Sequence, residues 1–218
     1  MLIVEPSVEL VSNQSYEDML RVNELAIRNC YHSENNIKEG SAERLIRNII
    51  KSGHTATIEF ADVVFHIVTD RAIMSQITRH RVASYCISSQ RYCNYANGKF
   101  DHNVRFIKPV NLNKDNLDNW KVSCELAEKE YFNLIECGEN PETARSVLPN
   151  CVATSIYMKM NMRSLRNFLQ LRLSSHAQKD IQLIARNIYD IVKEKYPVYV
   201  ENLVVDGSVY NGGNVVGA

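Results

Sequence analysis

The chain has 218 residues, of which 45% are apolar and 23% are charged, and its 25 basic and 25 acidic side chains give a formal net charge of zero. This length fits one domain with a sizeable core, and the composition argues against disordered and collagen-like proteins. No apolar run approaches the roughly 20 residues of a membrane helix, and the N-terminus lacks the pattern of a signal peptide. We therefore expect a cytoplasmic protein.

The apolar periodicity of the first half predicts helices separated by one long strand. The Ser15–Asn29 helix begins with Ser15 and Asp18, which resemble a capping box, and the next helix ends near Gly53. In chain order we predict helices over 15–29 and 41–51, a strand over 57–68, a short helix over 71–79, a polar segment over 81–97 and a short strand over 103–107.

The second half predicts a long helix, a strand and two further helices. These elements cover 116–137, 152–160, 164–171 and 177–196, with a short helix beginning at Pro141. The glycine-containing tail after Asp206 is expected to be mobile. No repeat or linker occurs, so we expect one α+β domain over residues 1–218.

Neither a disulfide framework nor a metal site is predicted. The six cysteines contain no C-x-x-C pair, and the six histidines contain no H-E-x-x-H motif. The cysteines are interpreted as reduced thiols. Metal ligands that converge from distant segments stay open as an alternative.

Arginine is concentrated in two spans without acidic residues, 71–100 and 143–179. The basic residues of these spans are Arg71, Arg79, Arg81, Arg91, Lys99, Arg145, Lys159, Arg163, Arg166, Arg172 and Lys179. In a chain with no net charge, this pattern predicts an anion site, because the planar guanidinium binds phosphate through two hydrogen bonds. The alternative is that these arginines pair with acids from elsewhere in the fold.

Two sequence blocks carry a resemblance to a known family. Arg79-His80-Arg81, followed after seven residues by Ser89, matches the R-H-R-x7-S motif of the flavin-dependent thymidylate synthases. Gln76, Ser84, Arg91 and Tyr92 fit the longer pattern around this motif. The segment from 161 to 178 forms the second block, and His54, Glu142 and Arg145 add weaker correspondences.

The resemblance implies a fold, a reaction and an assembly. The implied fold is a central antiparallel sheet flanked by helices, in a homotetramer with active sites at subunit interfaces. The implied reaction is FAD-dependent reductive methylation of dUMP to dTMP, with methylenetetrahydrofolate as carbon donor and NADPH as reductant. The implied partners are therefore dUMP and folate, not nucleic acid or a membrane.

By the same resemblance, one residue set binds dUMP and Arg172 is catalytic. In the family, the arginine at this position lies against the uracil and favours ionisation at ring N3, and a fixed guanidinium stabilises such negative charge. The implied dUMP-binding residues are Gln76, Arg79, Ile87, Ser88, Ser89, Gln90, Arg91, Arg145 and Arg172. Thymidylate synthases without flavin attack uracil with a cysteine, but Cys86 and Cys93 are interpreted here as bystanders. Ser89 has no visible general base and is assigned to binding.

A second set is implied for FAD. It comprises His54, Arg79, His80, Arg81, Asn161, Arg163 and Asn167. The spacing of Asn161, Arg163 and Asn167 is compatible with a strand-to-helix corner that presents several donors to one ligand. His80 lies between two arginines and is predicted to be neutral, since like charges lower the pKa of a histidine.

Three positions depart from the family pattern. Cys86 replaces the common asparagine, Ile87 the usual acid, and Gln90 a small residue. One explanation is sequence drift within this lineage, with another residue substituting for the lost side chain. The other is altered cofactor exchange or a modified pyrimidine substrate. An inactive flavin-binding relative and a nucleic-acid-binding module are the alternative functions.

Overall fold

A computed structural model describes residues 1–11, 14–98 and 102–212. The strands are β1 (Leu2–Val4), β2 (Ser7–Leu10), β3 (Asp62–Asp70), β4 (Ser84–Ile87), β5 (Arg105–Ile107), β6 (Ala153–Asn161), β7 (Val204–Val205) and β8 (Ser208–Val209). The α-helices are α1 (Tyr16–Asn29), α2 (Ser41–Lys51), α3 (Arg71–Ile77), α4 (Leu117–Glu136), α5 (Pro141–Ala144), α6 (Met162–Arg172) and α7 (Lys179–Lys195). Short 3-10 helices cover Glu34–Asn36, Thr55–Phe60, Lys114–Asn116, Arg145–Val147 and Pro197–Tyr199.

The central sheet has four antiparallel strands in the order β2-β3-β6-β4. Its longest pairing joins β3 and β6 over their whole length, with Asp62 opposite Asn161 and Asp70 opposite Ala153. Helices pack on this sheet, so the predicted α+β class with a central antiparallel sheet is confirmed.

The two faces of the sheet differ because side chains alternate along each strand. Val63, Phe65 and Ile67 of β3 are fully buried, and they form one core with apolar side chains of α6 and α7. On the opposite face, β3 places His66, which stacks on Tyr157 of β6 with ring centroids 4.7 Å apart. In the described part of the chain the helices α6 and α7 therefore cover the core face, and α6 runs along it.

A second, smaller core lies under α4. β1 pairs in parallel with β5, and the buried Phe106 of β5 clusters with Tyr131 and Cys124 of α4. The predicted helix over 116–137 is confirmed, and Gly138 follows it with a φ of 95°, a left-handed conformation that glycine adopts without strain.

The predicted strand over 57–68 begins too early. Thr55–Phe60 is a 3-10 helix, and β3 starts only at Asp62. The physical reason is the burial pattern, since Ile58 and Ala61 are buried whereas Phe60 is 63% exposed. A spacing of three residues suits a 3-10 helix, and strict alternation starts at Val63.

The polar segment predicted over 81–97 contains a strand. β4 pairs with β6, with Cys86 opposite Tyr157 and Ile87 opposite Ile156. This short edge strand has only four residues, and its partner lies about 70 positions later in the chain, so local pattern gave no sign of it.

Part of the tail after Asp206 has regular structure. β7 and β8 form a hairpin whose turn residues, Asp206 and Gly207, both have positive φ, and the Asp206 carboxylate accepts a hydrogen bond from the Ser175 amide at 2.7 Å. Residues 213–218 lie outside the described part of the chain. Among the described residues, no helix combines the length and apolarity required to cross a bilayer.

Candidate active site

One cavity of about 560 Å³ is lined by six of the residues that the sequence analysis assigned to dUMP or FAD binding. We call it the arginine cavity, and its described lining is Glu59, Arg79, His80, Arg81, Val82, Arg163, Ser164, Asn167, Leu171 and Arg172. Four of these side chains are guanidinium groups and one is a carboxylate. The cavity therefore favours an anionic ligand, as the segregation of arginine predicted.

The turn after α3 supplies the R-H-R motif to this cavity. Asp70 caps α3, accepting a hydrogen bond from the Ile73 amide at 2.7 Å. The helix ends at Ile77, and the Tyr85 hydroxyl lies 2.9 Å from the Ile77 carbonyl oxygen and 2.8 Å from that of His80. Through these two hydrogen bonds, Tyr85 of β4 connects the motif to the sheet.

Helix α6 supplies the opposite wall. β6 ends at Asn161, whose side chain caps α6 by accepting a hydrogen bond from the Ser164 amide at 2.8 Å. The predicted strand-to-helix corner is therefore present. Arg163, Asn167 and Leu171 follow one another at four-residue spacing and share a helix face that lines the cavity.

Arg163 and Arg172 differ in how their charge is compensated. Arg163 forms an ion pair with Glu59 at 2.6 Å. Arg172 instead donates from Nε to His80 Nε2 at 3.0 Å and from Nη2 to the backbone oxygen of Gln76 at 3.0 Å. Across the described residues, no carboxylate forms an ion pair with Arg172.

His80 has a strongly lowered pKa. Burial, and secondarily the positive charge of Arg172, lower the pKa of His80 from 6.5 to about 4. A neutral His80 was predicted from its flanking arginines, and its direction of shift agrees with that prediction. The cause differs, because burial contributes most and the cation is Arg172, from the other sequence block.

Gln76 contacts Arg172 of the arginine cavity through its backbone oxygen, and its side chain begins a hydrogen-bonded series. Its Nε2 donates to Gln178 Oε1 at 2.7 Å, and Gln178 Nε2 donates to Asp180 Oδ2 at 3.0 Å. Because a carboxylate only accepts, Asp180 fixes the orientation of both amides, and the side-chain oxygen of Gln76 has no donor among the residues that the structure describes. The sequence assigned no role to Gln178 or Asp180, since this series requires the two blocks to meet.

A second basic group forms where the loop after β4 meets α5. Arg91 Nε lies 3.1 Å from Glu142 Oε1, and Arg145 Nε donates to the Glu142 backbone oxygen at 3.2 Å. The Ser89 hydroxyl accepts from the Arg91 amide at 3.3 Å. We call these four residues the Arg91–Arg145 cluster, and none of them lines the arginine cavity.

The other residues of the predicted dUMP segment have their side chains in protein contacts. Ile87 packs partly buried against the main core, and Ser88 Oγ accepts from the Ser155 amide at 3.1 Å. Gln90 is buried beside Tyr95. The side chain that replaces the family's small residue is therefore turned into the protein.

Two members of the predicted FAD set lie beside the arginine cavity and do not line it. His54 lines a neighbouring cavity of about 360 Å³, which shares Arg163 with the first. Asn161 reaches the site only through Ser164, the residue that it caps.

Neither cysteine near the motif lines the arginine cavity. Cys86 is exposed, on the sheet face away from the main core, and Cys93 lines a separate cavity of about 290 Å³. This placement supports the interpretation of both thiols as bystanders.

Sequence reasoning missed the apolar part of the arginine cavity. Val82 is 69% exposed and Leu171 is 55% exposed, and both line it beside the guanidinium groups. The four-residue spacing of Leu171 from Asn167 could have identified it. Together with the arginines, these side chains fit a ligand that joins a flat ring to phosphate, which is the chemical character of FAD.

Comparison with protein families gives a match over most of the chain. The family model described as thymidylate synthase complementing protein matches residues 9–198. The flavin-dependent thymidylate synthase of Thermosipho africanus is 35% identical over 186 residues, covering 78% of this chain and 82% of that protein. That of Saccharolobus solfataricus is 34% identical over 168 residues, covering 77% of this chain. The chain spans 63% of the length of the Saccharolobus protein.

A solved structure shares the fold. The crystal structure of a UMP/dUMP methylase, PolB from Streptomyces cacaoi bound with 5-Br dUMP, superposes with a TM-score of 0.77. It covers 91% of this chain and 95% of that protein at 24% sequence identity.

Proposed function

Since this chain belongs to the flavin-dependent thymidylate synthase family, we propose that it methylates dUMP to dTMP in the cytoplasm. In this proposal FAD is the cofactor, methylenetetrahydrofolate donates the carbon and NADPH is the reductant. The observation that carries the proposal is the arginine cavity, where the two family blocks meet through Arg172 and His80. A concave basic cavity of this kind favours a small anionic ligand over long nucleic acid.

FAD fits the arginine cavity by the chemistry of its donors. Arg79, Arg81 and Arg163 would hold its phosphates, with Asn167 as a further donor and Leu171 against its ring. When bound, FAD would supply the hydride of the reaction. The chain's own contribution is binding, orientation and polarisation.

Arg172 would polarise the uracil. Its guanidinium is fixed by two hydrogen bonds and does not lose its proton, so it stabilises negative charge that develops on the ring without exchanging a proton. Gln76 would orient the same ring with its amide oxygen.

The Arg91–Arg145 cluster would bind the phosphate of dUMP. Both guanidinium groups contact Glu142, with Arg91 on the exposed loop after β4 and Arg145 at the end of α5, and the Ser89 hydroxyl accepts from the Arg91 amide. A phosphate would compete with Glu142 for Arg91, because it offers more charge to the same donors.

The separation of this cluster from the arginine cavity supports a shared active site. Within one chain the cluster lines no part of that cavity. A homotetramer that combines the cluster of one subunit with the cavity of another would complete the site. Folate would then bind where the two halves meet.

The departures at Cys86 and Ile87 do not argue for an inactive relative. Cys86 lies on the sheet face opposite the main core, and Ile87 packs against that core. Neither side chain lines the arginine cavity. We therefore place an active synthase ahead of an inactive flavin-binding protein.

The experiment is an anaerobic assay with dUMP, methylenetetrahydrofolate, NADPH and FAD, in which dTMP is measured by chromatography. We expect turnover by the wild type and a loss of about 10²–10³-fold in Arg172→Ala, the range seen when a stabilising donor is removed. Arg44→Ala, on the exposed face of α2, is the control and should keep its rate. Absence of dTMP from a correctly folded wild type with bound FAD would refute the proposal.

A further inference from the structure

Arg172 is held along one edge by two acceptors that carry no charge. Its Nε donates to the imidazole of His80, and its Nη2 donates to the peptide oxygen of Gln76. A guanidinium has five N–H groups, so these two bonds fix its plane and leave the Nη1 edge available.

Within the arginine cavity this arrangement differs from that of Arg163, although Arg166, outside the cavity, also donates to two uncharged acceptors, the Tyr199 backbone oxygen and Asn202 Oδ1. Arg163 pairs with Glu59, Arg91 with Glu142 and Arg47 with Glu201. Each of those carboxylates orients its arginine side chain and also compensates the positive charge. The contacts of Arg172 orient the side chain and leave its positive charge uncompensated.

The environment of His80 keeps it in the role of a neutral acceptor. Because Nε2 accepts from Arg172, the ring proton of the neutral form must lie on Nδ1. The ring packs edge-on against Phe168 with centroids 4.9 Å apart, and the Tyr85 hydroxyl contacts the His80 backbone oxygen. The lowered pKa agrees with this geometry.

We propose that His80 is a positioning residue for substrate activation, which holds Arg172 as a neutral acceptor and so preserves its full charge for an ionising uracil ring. This inference rests on the proposed function. The sequence resemblance placed His80 in the FAD set. The inference gives His80 a second role, which acts on the pyrimidine through Arg172.

The physical reason lies in the partly buried setting of the pair. An ion pair in a low-dielectric site satisfies both charges, so a carboxylate at position 80 would compete with the uracil anion for Arg172. A neutral acceptor costs less desolvation and creates no such competition. Loss of any acceptor would release Nε and let the guanidinium rotate.

Three substitutions separate these effects. His80→Gln keeps a neutral acceptor. His80→Glu places a side chain of nearly the same shape as glutamine there, but with a negative charge. His80→Met has neither a strong acceptor nor a charge. FAD occupancy is measured by visible absorbance for each, and rates are compared at saturating FAD. We expect His80→Gln to stay within about tenfold of the wild-type kcat, with losses of about 10²-fold or more in the other two.

A ligand probe tests the same inference without turnover. 5-Fluoro-dUMP carries an ionisable ring N3, and its ionisation when bound can be followed by fluorine NMR across a pH series. We expect the wild type and His80→Gln to lower the pKa of the bound ring, and His80→Glu to bring it back towards the value of the free nucleotide. Equal pKa values for the bound ring in His80→Gln and His80→Glu would overturn the inference.

A third measurement needs no substitution. Nitrogen-15 NMR of the wild-type histidines at neutral pH should show His80 with Nδ1 protonated and Nε2 unprotonated, and the opposite tautomer would contradict the proposal. The outcomes are separable from failure of the proposed function. If the wild type makes no dTMP, the function fails; if it does and the Gln and Glu variants behave alike, only the role of His80 fails.

Discussion

At the scale of single residues, the motif predicted a set of site residues, and tertiary structure determines which of their side chains meet. His80 was predicted to be neutral because arginines flank it in sequence. In the structure its pKa is lowered mainly by burial and then by Arg172, 92 positions away. A local pattern cannot contain such a cause, because the partner belongs to another element.

The lowered pKa of His80 predicts a pH dependence of stability. The unfolded chain protonates this group near 6.5 and the folded chain only near 4, so its neutral form contributes stability that is complete above about pH 6.5 and is lost as pH falls towards 4. We expect the free energy of unfolding of the wild type to fall more steeply over this window than that of His80→Gln. Urea denaturation at a series of pH values measures both, and parallel curves would contradict the assignment.

Ile87 allows a test of the most unusual departure. Its side chain packs against the main core, so Ile87→Glu should lower the free energy of unfolding by roughly 1–3 kcal/mol, the usual cost of an unsatisfied buried polar group. Ile87→Met keeps an apolar side chain and is the control, with an expected cost below about 1.5 kcal/mol. We expect no gain in dTMP formation or dUMP affinity from Ile87→Glu, and a gain would instead support an altered cofactor exchange or substrate.

At the scale of elements, strong local signals gave correct predictions. The hydroxyl of Ser15 accepts from the Asp18 amide at 3.0 Å, and Gly53 and Gly138 follow α2 and α4 with positive φ. Elements defined by distant pairing were missed or displaced. β4 depends on β6, and the start of β3 depends on which side chains of the preceding 3-10 helix are buried.

Asn161 provides an element-scale prediction, because it caps α6. Asn161→Ala removes the acceptor for the Ser164 amide and should cost about 1 kcal/mol of stability. Asn161→Asp keeps an acceptor and should remain close to the wild type. Chemical denaturation of the three proteins measures this, and equal stability of the Ala and Asp variants would show that the cap is unimportant.

At the scale of the whole molecule, the sequence predicted a basic anion site, whereas the structure places its arginines in two separate groups. Arg79, Arg163 and Arg172 meet in one cavity, whereas Arg91 and Arg145 gather around Glu142 elsewhere. Sequence spacing could not predict this division, since it depends on the path of the loop after β4.

A shared active site makes a prediction about mixed oligomers. Arg91→Ala and Arg172→Ala should each have strongly reduced activity alone. If one subunit supplies the cluster and another the cavity, random mixing of the two variants restores about a quarter of the sites. The activity of co-refolded variants measures this, with each variant refolded alone as control. Absence of any recovery would place both groups in sites built from one chain.

The central claim, that this chain uses a bound flavin to convert dUMP to dTMP, is tested most directly by single turnover. The FAD-loaded protein is reduced anaerobically, and flavin absorbance is followed as dUMP and methylenetetrahydrofolate are added separately and together. We predict that the oxidised flavin spectrum returns only when both are present, with about one dTMP formed per flavin. Reoxidation without dTMP, or a reduced flavin that both compounds leave unchanged, would contradict the claim.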